Sequence, residues 1–192
     1  MNMTRRDLIQ NVALLLGGSI VGGSVFTISG CKSTDKQVNE LFTESQVALM
    51  NEIADTILPK TGSPGAKEAK VGNFMALMVL DCYNERDQQV FEEGLKKIDE
   101  LSEKQFDKPF MEADPKQRTE LLTALDKEQK DFQAKKGKDD ASHYFRMMKE
   151  LTILGYFSSK EGATMALRYL PVPGKYDGNY PYKKGDKAWA TS

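Results

Sequence analysis

Thr43-Glu44-Ser45-Gln46-Val47-Ala48-Leu49-Met50-Asn51-Glu52-Ile53-Ala54-Asp55-Thr56-Ile57-Leu58-Pro59 holds a helix start, a buried face and a helix stop. Thr43 and Gln46 have the spacing of a capping box. The hydroxyl accepts from a first-turn amide, and the glutamine reaches back to the Thr43 amide. Val47, Met50, Ile53, Ala54 and Ile57 then recur at helical spacing, and Pro59 ends the run because it offers no amide hydrogen.

The same kind of pattern continues downstream. Lys60 to Ala66 contains Gly62, Pro64 and Gly65 and reads as a turn. From about Glu68 to Tyr83 the chain is apolar nearly all round (Val71, Phe74, Met75, Leu77, Met78, Val79, Leu80). That is the pattern of a helix covered on most sides, by its own core or by another protein. A third helix is expected over Asp87 to Phe106, with Phe91, Leu95, Ile98 and Leu101 as its stripe. Asp114-Pro115-Lys116-Gln117 opens a fourth, with an acidic N-cap, proline at the first helical position and a capping glutamine. Leu121, Leu122, Leu125 and Phe132 form its apolar face, and Lys135 to Asp140 reads as a solvated loop. Ala141 to Phe157 is the fifth, with Tyr144, Phe145, Met148, Leu151, Thr152 and Gly155 on one side. Ser158 or Ser159 then caps a short helix through Met165 to Arg168. No segment alternates for long with the period of a strand, so the fold class is all-α, an irregular helical bundle.

Residues 169–192 form an extended C-terminal tail. Pro171, Pro173, Pro181, Gly174, Gly178 and Gly185 forbid regular helix, while Tyr169, Tyr176, Tyr180, Tyr182 and Trp189 supply aromatic mass. A tail of that kind either wraps its own bundle or lies on a partner, where Tyr and Trp are common anchors.

Before the bundle, Thr4-Arg5-Arg6-Asp7-Leu8-Ile9 leads into an apolar, glycine-rich run from Val12 to Ile28, which ends in Ile28-Ser29-Gly30-Cys31. A charged start, an apolar stretch and a small-residue cleavage site describe an export signal. Arg5 and Arg6 resemble a twin-arginine signal, and Ser29-Gly30-Cys31 resembles a lipobox, where Cys31 is lipidated and the chain is cut just before it. Leu8 and Gln10 stand where such signals usually carry Phe and Lys, so an ordinary secretory signal stays open. An uncleaved anchor also stays open, although the run falls short of the about 20 residues of a bilayer span. The organisation expected is an export signal over 1–30, a lipidated Cys31 with a polar tether over 31–41, and one helical domain over 42–192. Lipid on Cys31 would place the protein on the periplasmic side of the cell envelope, attached to a membrane without crossing it.

The 27 basic and 28 acidic residues leave a net charge of −1, so there is no electrostatic footprint for nucleic acid. Beyond the signal the chain has one histidine, His143, and one cysteine, Cys82. No metal-ligand spacing survives that inventory. His143 lacks a nucleophile-elbow pattern nearby and reads as a polar residue at a helix start. No glycine-rich loop follows a strand, so no dinucleotide or phosphate cradle is indicated. Cys82 lies in an apolar run and is expected as a buried thiol, with a bond to a partner subunit as the alternative. No catalytic, cofactor-binding or metal-binding residue is assigned to this chain.

Several short stretches, in order, carry a family resemblance. They are the arginine-pair signal, Ile57-Leu58-Pro59, Ser63-Pro64-Gly65-Ala66, Val71-Gly72 and Phe91-Glu92-Glu93-Gly94-Leu95. Leu151-Thr152-Ile153-Leu154-Gly155-Tyr156-Phe157 with Ser158 and Gly162 follows, and Pro173-Gly174-Lys175-Tyr176-Asp177-Gly178 closes the series. In this order the chain resembles the small third subunit of the membrane-bound gluconate 2-dehydrogenase type. The resemblance implies a non-catalytic accessory subunit of a periplasmic complex that oxidises a sugar or sugar acid. FAD is then expected on a large GMC-type flavoprotein subunit, and haem on a cytochrome c subunit where one accepts the electrons. The small subunit would assist maturation, export and membrane attachment of the flavoprotein. Cys31 departs from the simplest family pattern; it suggests lipid tethering and puts in doubt whether a membrane-bound cytochrome is needed as an anchor.

On this reading the partner-interface candidates are Phe74, Met78, Cys82, Leu151, Tyr156, Phe157, Tyr176, Tyr180 and Trp189. The competing expectation is a stand-alone periplasmic lipoprotein that holds carbohydrate on its aromatic tail.

Overall fold

A computed structural model of the chain describes residues 35–172, 174 and 177–190. The signal residues Arg5 and Arg6, the lipobox Cys31 and the tail residue Tyr176 lie outside the described residues. Among the described residues five α-helices follow one another: α1 (Glu44–Ile57), α2 (Val71–Cys82), α3 (Glu85–Phe106), α4 (Pro115–Lys135) and α5 (Tyr144–Ser158). One π-helical turn, Gly162–Ala166, comes after them. Among the described residues there is no strand beyond two isolated bridges, so the chain is all-α.

Local chemistry explains most of the boundaries. At α1 the Thr43 amide donates to Gln46 Oε1 (2.9 Å) and the Gln46 amide to Thr43 Oγ1 (3.4 Å), a complete capping box. At α4 Asp114 accepts from the amides of Lys116 (2.9 Å) and Gln117 (3.0 Å), with Pro115 at the first helical position. Asn84 caps α3 two residues earlier than the hydrophobic stripe suggests, its side chain accepting from the Asp87 amide. Helix α2 begins at Val71, not near Glu68. A separate turn closes first, with Lys70 in the left-handed region (φ 55°) and the Val71 amide bound to the Ala66 carbonyl (3.1 Å). The short last helix is a π turn, entered through Ser159, whose hydroxyl accepts from the Gly162 amide (3.0 Å).

The core is built from Phe42, Phe91, Phe110, Phe145, Met50, Ile53, Met75, Leu95, Ile98 and Met148, all fully buried. Each such side chain contributes about 1.5–3 kcal/mol on leaving water. Helix α5 packs against all four other helices, and its expected face (Tyr144, Phe145, Met148, Leu151, Thr152, Gly155) is the buried one. Three helix glycines permit close approaches: Gly72 of α2 lies against the α1 backbone at Val47 and Asn51, Gly94 of α3 lies under Tyr144, and Gly155 of α5 lies under Phe74 of α2. Phe132 departs from its expected place and is exposed on the outer side of α4, against the His143 ring.

The polar struts are few. Glu52 on α1 joins Arg118 on α4 and Lys67 in the connecting turn. Arg118 also donates to the carbonyls of Phe110 (3.0 Å) and Met111 (2.7 Å), which ties the α3–α4 loop to α1. Asp126 of α4 holds Lys149 of α5 and Lys130 of its own helix, and these bonds keep its carboxyl well below the usual range.

The segment before α1, read as a polar tether from Ser33 to Glu40, is fastened from Asp35 onward. Gln37 pairs with Thr43, and Asn39 Nδ2 donates to the Ala76 carbonyl in α2 (3.1 Å).

Candidate docking surface

Helices α2 and α5 lie side by side and antiparallel. Phe74 meets Gly155, while Tyr83, just after α2, shares a cleft with Met147 and Glu150, which precede Gly155. On α2 the positions turned to the core are Val71, Gly72, Met75, Ala76 and Val79. Phe74 and Met78 fill the seam toward α5 and are half-buried, and Leu77 points outward with 55% of its surface exposed. On α5 the outward side carries Ile153, Leu154 (52% exposed) and Phe157. Leu154 is four residues beyond Glu150, hence on the stripe that faces Tyr83 and α2. The seam residues and the outward leucines therefore line one apolar strip along both helices. Single exposed apolar residues need no explanation, but several aligned on a helix pair mark an interaction surface.

Two of the expected interface residues are not on that strip. Leu151 and Tyr156 are buried in the chain's own core, because the face of α5 that includes Gly155 is the one that α2 covers. The Tyr156 hydroxyl donates to the Pro64 carbonyl (2.6 Å) and meets the Ser63 hydroxyl (3.2 Å), a bond between α5 and the α1–α2 turn. Leu77, Ile153 and Leu154, which lie within the same two apolar stretches (Phe74 to Leu80 and Leu151 to Phe157) but are not picked out individually by the sequence, take their place. Their signal was present, since they are apolar residues off the core stripe of their helices.

Cys82 also departs from expectation. It is exposed, not buried, because it is the last residue of α2 and packing ends at Val79; its thiol lies 4.0 Å from Met78 Sδ. Exposure leaves it open to a partner.

His143 is the N-cap of α5. Nδ1 accepts from the Phe145 amide (3.2 Å), which assigns the proton to Nε2, 3.4 Å from Glu128 Oε1. The ring stacks on Tyr144 at 4.3 Å, and burial pushes the Tyr144 hydroxyl up to about 12. The Glu128 carboxylate that meets the ring is largely exposed, and the contacts of His143 include no nucleophile. A polar cleft at the edge of α2 and α5 is lined by Tyr83, Arg86, Asp87, Asp139 and Glu150. Burial, then the charges of Glu150 and Asp87, raise the Tyr83 hydroxyl, so it stays protonated there. Among the described residues no group of three or more His, Cys, Asp or Glu side chains could hold a metal ion.

The tail is clipped to the end of the bundle through Arg168. Its backbone forms an isolated bridge with Trp189, the Arg168 amide donating to Ala188 O (2.8 Å) and the Ala190 amide to Arg168 O (2.9 Å). Its guanidinium lies 3.9 Å from the Trp189 ring centre and 5.1 Å from that of Tyr180. Tyr180 and Trp189 meet edge to face at 5.5 Å. Thus Tyr180 and Trp189 hold an internal cation, although both remain partly exposed. Tyr182 stands free, with 75% of its surface in solvent.

No curated protein and no solved structure gives a significant match to the chain. A family model described as gluconate 2-dehydrogenase subunit 3 matches residues 44–174, from the first residue of α1 into the tail. That span covers all five helices, the apolar strip and the Arg168 anchor. The family's name describes one subunit of a multisubunit dehydrogenase. An all-α domain whose α2–α5 pair presents an apolar strip is consistent with such a part. With the match covering more than half of its residues, the chain belongs to the gluconate 2-dehydrogenase subunit 3 family.

Proposed function

We propose that this chain is the non-catalytic accessory subunit of a periplasmic FAD-dependent sugar or sugar-acid dehydrogenase, and that it docks on the flavoprotein through the α2–α5 strip. The observation that carries the reading is the alignment of Phe74, Leu77, Met78, Leu154 and Phe157 along two adjacent helices of a family member. An obligate interface of this kind buries more than about 2,000 Å² and resembles a core cut in half. On this reading the strip is its apolar centre, and Cys82, Tyr180 and Trp189 are candidates for its margin.

FAD, and haem where a cytochrome c takes part, reside on the partners. Arg5 and Arg6 direct the folded pair outward, and lipid on Cys31 fixes it to the membrane. The escort role gives the flavoprotein a completed fold before crossing, since the signal travels on a subunit that binds only the assembled partner. The carbohydrate-module reading has less support, because Arg168 already covers one face of Trp189 and lies over Tyr180, two of the tail's aromatic rings.

The deciding experiment changes Arg5 and Arg6 to Lys in cells that express both subunits. Both should then remain in the cytoplasm, and a flavoprotein still exported would refute the escort role. Expressed by itself, the small subunit should be poorly soluble, and a stable monodisperse monomer would count against an obligate interface.

A further inference from the structure

The cleft at the edge of α2 and α5 has a volume of about 370 Å³ and takes its walls from separate parts of the chain. Tyr83 joins α2 to α3, and Asp87 and Arg86 stand in the first turn of α3. Asp139 and Asp140 lie in the α4–α5 loop, and Glu150 comes from α5. Four carboxylates therefore share the cleft with one guanidinium, which does not neutralise them. Arg86 Nη1 donates to the backbone carbonyl of Asp139 (2.8 Å), and Arg86 is in no ion pair among the described residues. Asp87 accepts from Asn84 Nδ2 (2.8 Å) and Asp140 from the Gly137 amide (2.8 Å), both neutral donors. Glu150 meets a cation, Arg146 (2.7 Å), in a solvent-exposed pair one helical turn apart, which contributes little and exchanges readily. The resulting field reaches the inside of the cleft. After burial, the charges of Glu150 and Asp87 help to hold the Tyr83 hydroxyl protonated.

The lining suits an organic cation better than a metal ion. Among the described residues no three carboxylates come together closely enough to share a metal. Negative charge spread around a rim matches a head group with several N–H donors. The Tyr83 ring, Ala141 and the buried Met147 add an apolar part for the stem of a lysine or arginine side chain. The cleft also opens where the apolar strip ends, since Cys82 directly precedes Tyr83 and Leu154 stands one turn beyond Glu150. We infer that a lysine or arginine side chain of the flavoprotein enters this cleft when the two subunits meet. The interface then has an apolar middle on the α2–α5 strip and a charged lock at its Tyr83 end. This contact presupposes the docking described above and adds to it the chemistry of the partner's surface at one place. Apolar contact along a helix pair tolerates a shift by one turn, whereas a cation held by Asp87 and Glu150 fixes the register, as complementary charges do in recognition.

The test follows dissociation of the detergent-solubilised complex at low and at high salt. Asp87→Asn with Glu150→Gln neutralises the cleft. Asp139→Asn with Glu150→Gln does so while leaving the start of α3 untouched, should the first pair disturb it. Either pair should speed dissociation at low salt about tenfold and remove most of its dependence on salt. Glu100→Gln with Glu103→Gln removes the same charge from exposed positions farther along α3 and should alter the rate less than about twofold. Rates and salt dependence left unchanged by both cleft pairs overturn the inference. An equal effect in the α3 control does so too, because the attraction would then be diffuse. Leu77→Ser with Leu154→Ser separates the two levels. If that pair prevents the complex from forming while the cleft pairs leave dissociation unchanged, the strip stands and the cleft contact falls. If the cleft pairs speed dissociation and the strip pair has no effect, the cation contact stands and the strip falls. A purified preparation of the unaltered subunit that contains no flavoprotein sinks both.

Discussion

Gly155 of α5 lies against the ring of Phe74 of α2, so close that a Cβ at 155 would stand 2.5 Å from Phe74 Cδ1. This contact sets the distance between the two helices that carry the apolar strip. Gly155→Ala gains about 1 kcal/mol of helix propensity, but overpacking costs about 1–3 kcal/mol. The expected outcome is a lower urea midpoint, partly restored when Phe74→Leu is added. A midpoint that rises in the single variant would mean that the ring moves aside freely.

Leu77 and Leu154 face solvent on the same helix pair, so replacing both by Ser should shift the folding free energy by no more than about 1 kcal/mol in total. The consequences lie elsewhere. The lone subunit should become more soluble, and the flavoprotein should no longer co-purify with it from detergent-solubilised membranes. Full retention of the flavoprotein would remove the strip from the interface.

Glu52 gives the fold a dependence on acid. Burial alone would raise its carboxyl, but the hydrogen bond from Lys67 and the charge of Arg118 outweigh burial and hold it below the usual carboxylate range. A group depressed in the folded state contributes stability that is complete above its unfolded value, near about 4.3, and is lost as pH falls through the folded value. Glu52→Gln should cost about 2 kcal/mol at neutral pH, since Arg118 and Lys67 lose their shared partner. It should also flatten the fall in urea midpoint below about pH 4.3 relative to the unaltered protein. Parallel acid profiles for the two proteins would contradict the assignment.

Arg168 holds the tail by its guanidinium as well as its backbone. Arg168→Ala keeps the bridge to Ala188 and Ala190 but removes both ring contacts, together worth about 1–2 kcal/mol. Trypsin should then cut at Lys183, Lys184 or Lys187 about tenfold faster, in line with that loss. The unfolding midpoint of the bundle should stay where it was. An unchanged cleavage rate would show that the backbone bridge alone secures the tail.

The helices and their core faces were open to reading because they are encoded within a few residues of one another. The pairs Thr43–Gln46 and Asp114–Gln117 announce two helix starts, and the spacing from Val47 to Ile57 names one buried stripe. His143 likewise stands where a cap is needed, and the structure uses it as one. The start of α2 was misplaced because Lys70 adopts a left-handed conformation within a turn closed by a longer-range bond. Cys82 was misplaced because an apolar run does not show where its packing partner ends.

The amino-acid sequence by itself determined the fold class, the order and faces of the helices, and the set of short stretches that carry the family resemblance. Capping bonds and helical periodicity join residues three or four apart, so the local chain contains their whole cause. Only the tertiary structure decided that Leu151 and Tyr156 turn inward while Leu77 and Leu154 stay out, and that Arg168 takes hold of Trp189. Those outcomes depend on which helix lies beside which and how closely, and that is set by side-chain shapes meeting across many residues of chain. A glycine under a phenylalanine, 81 positions away, is what separates the covered side of α5 from the open one.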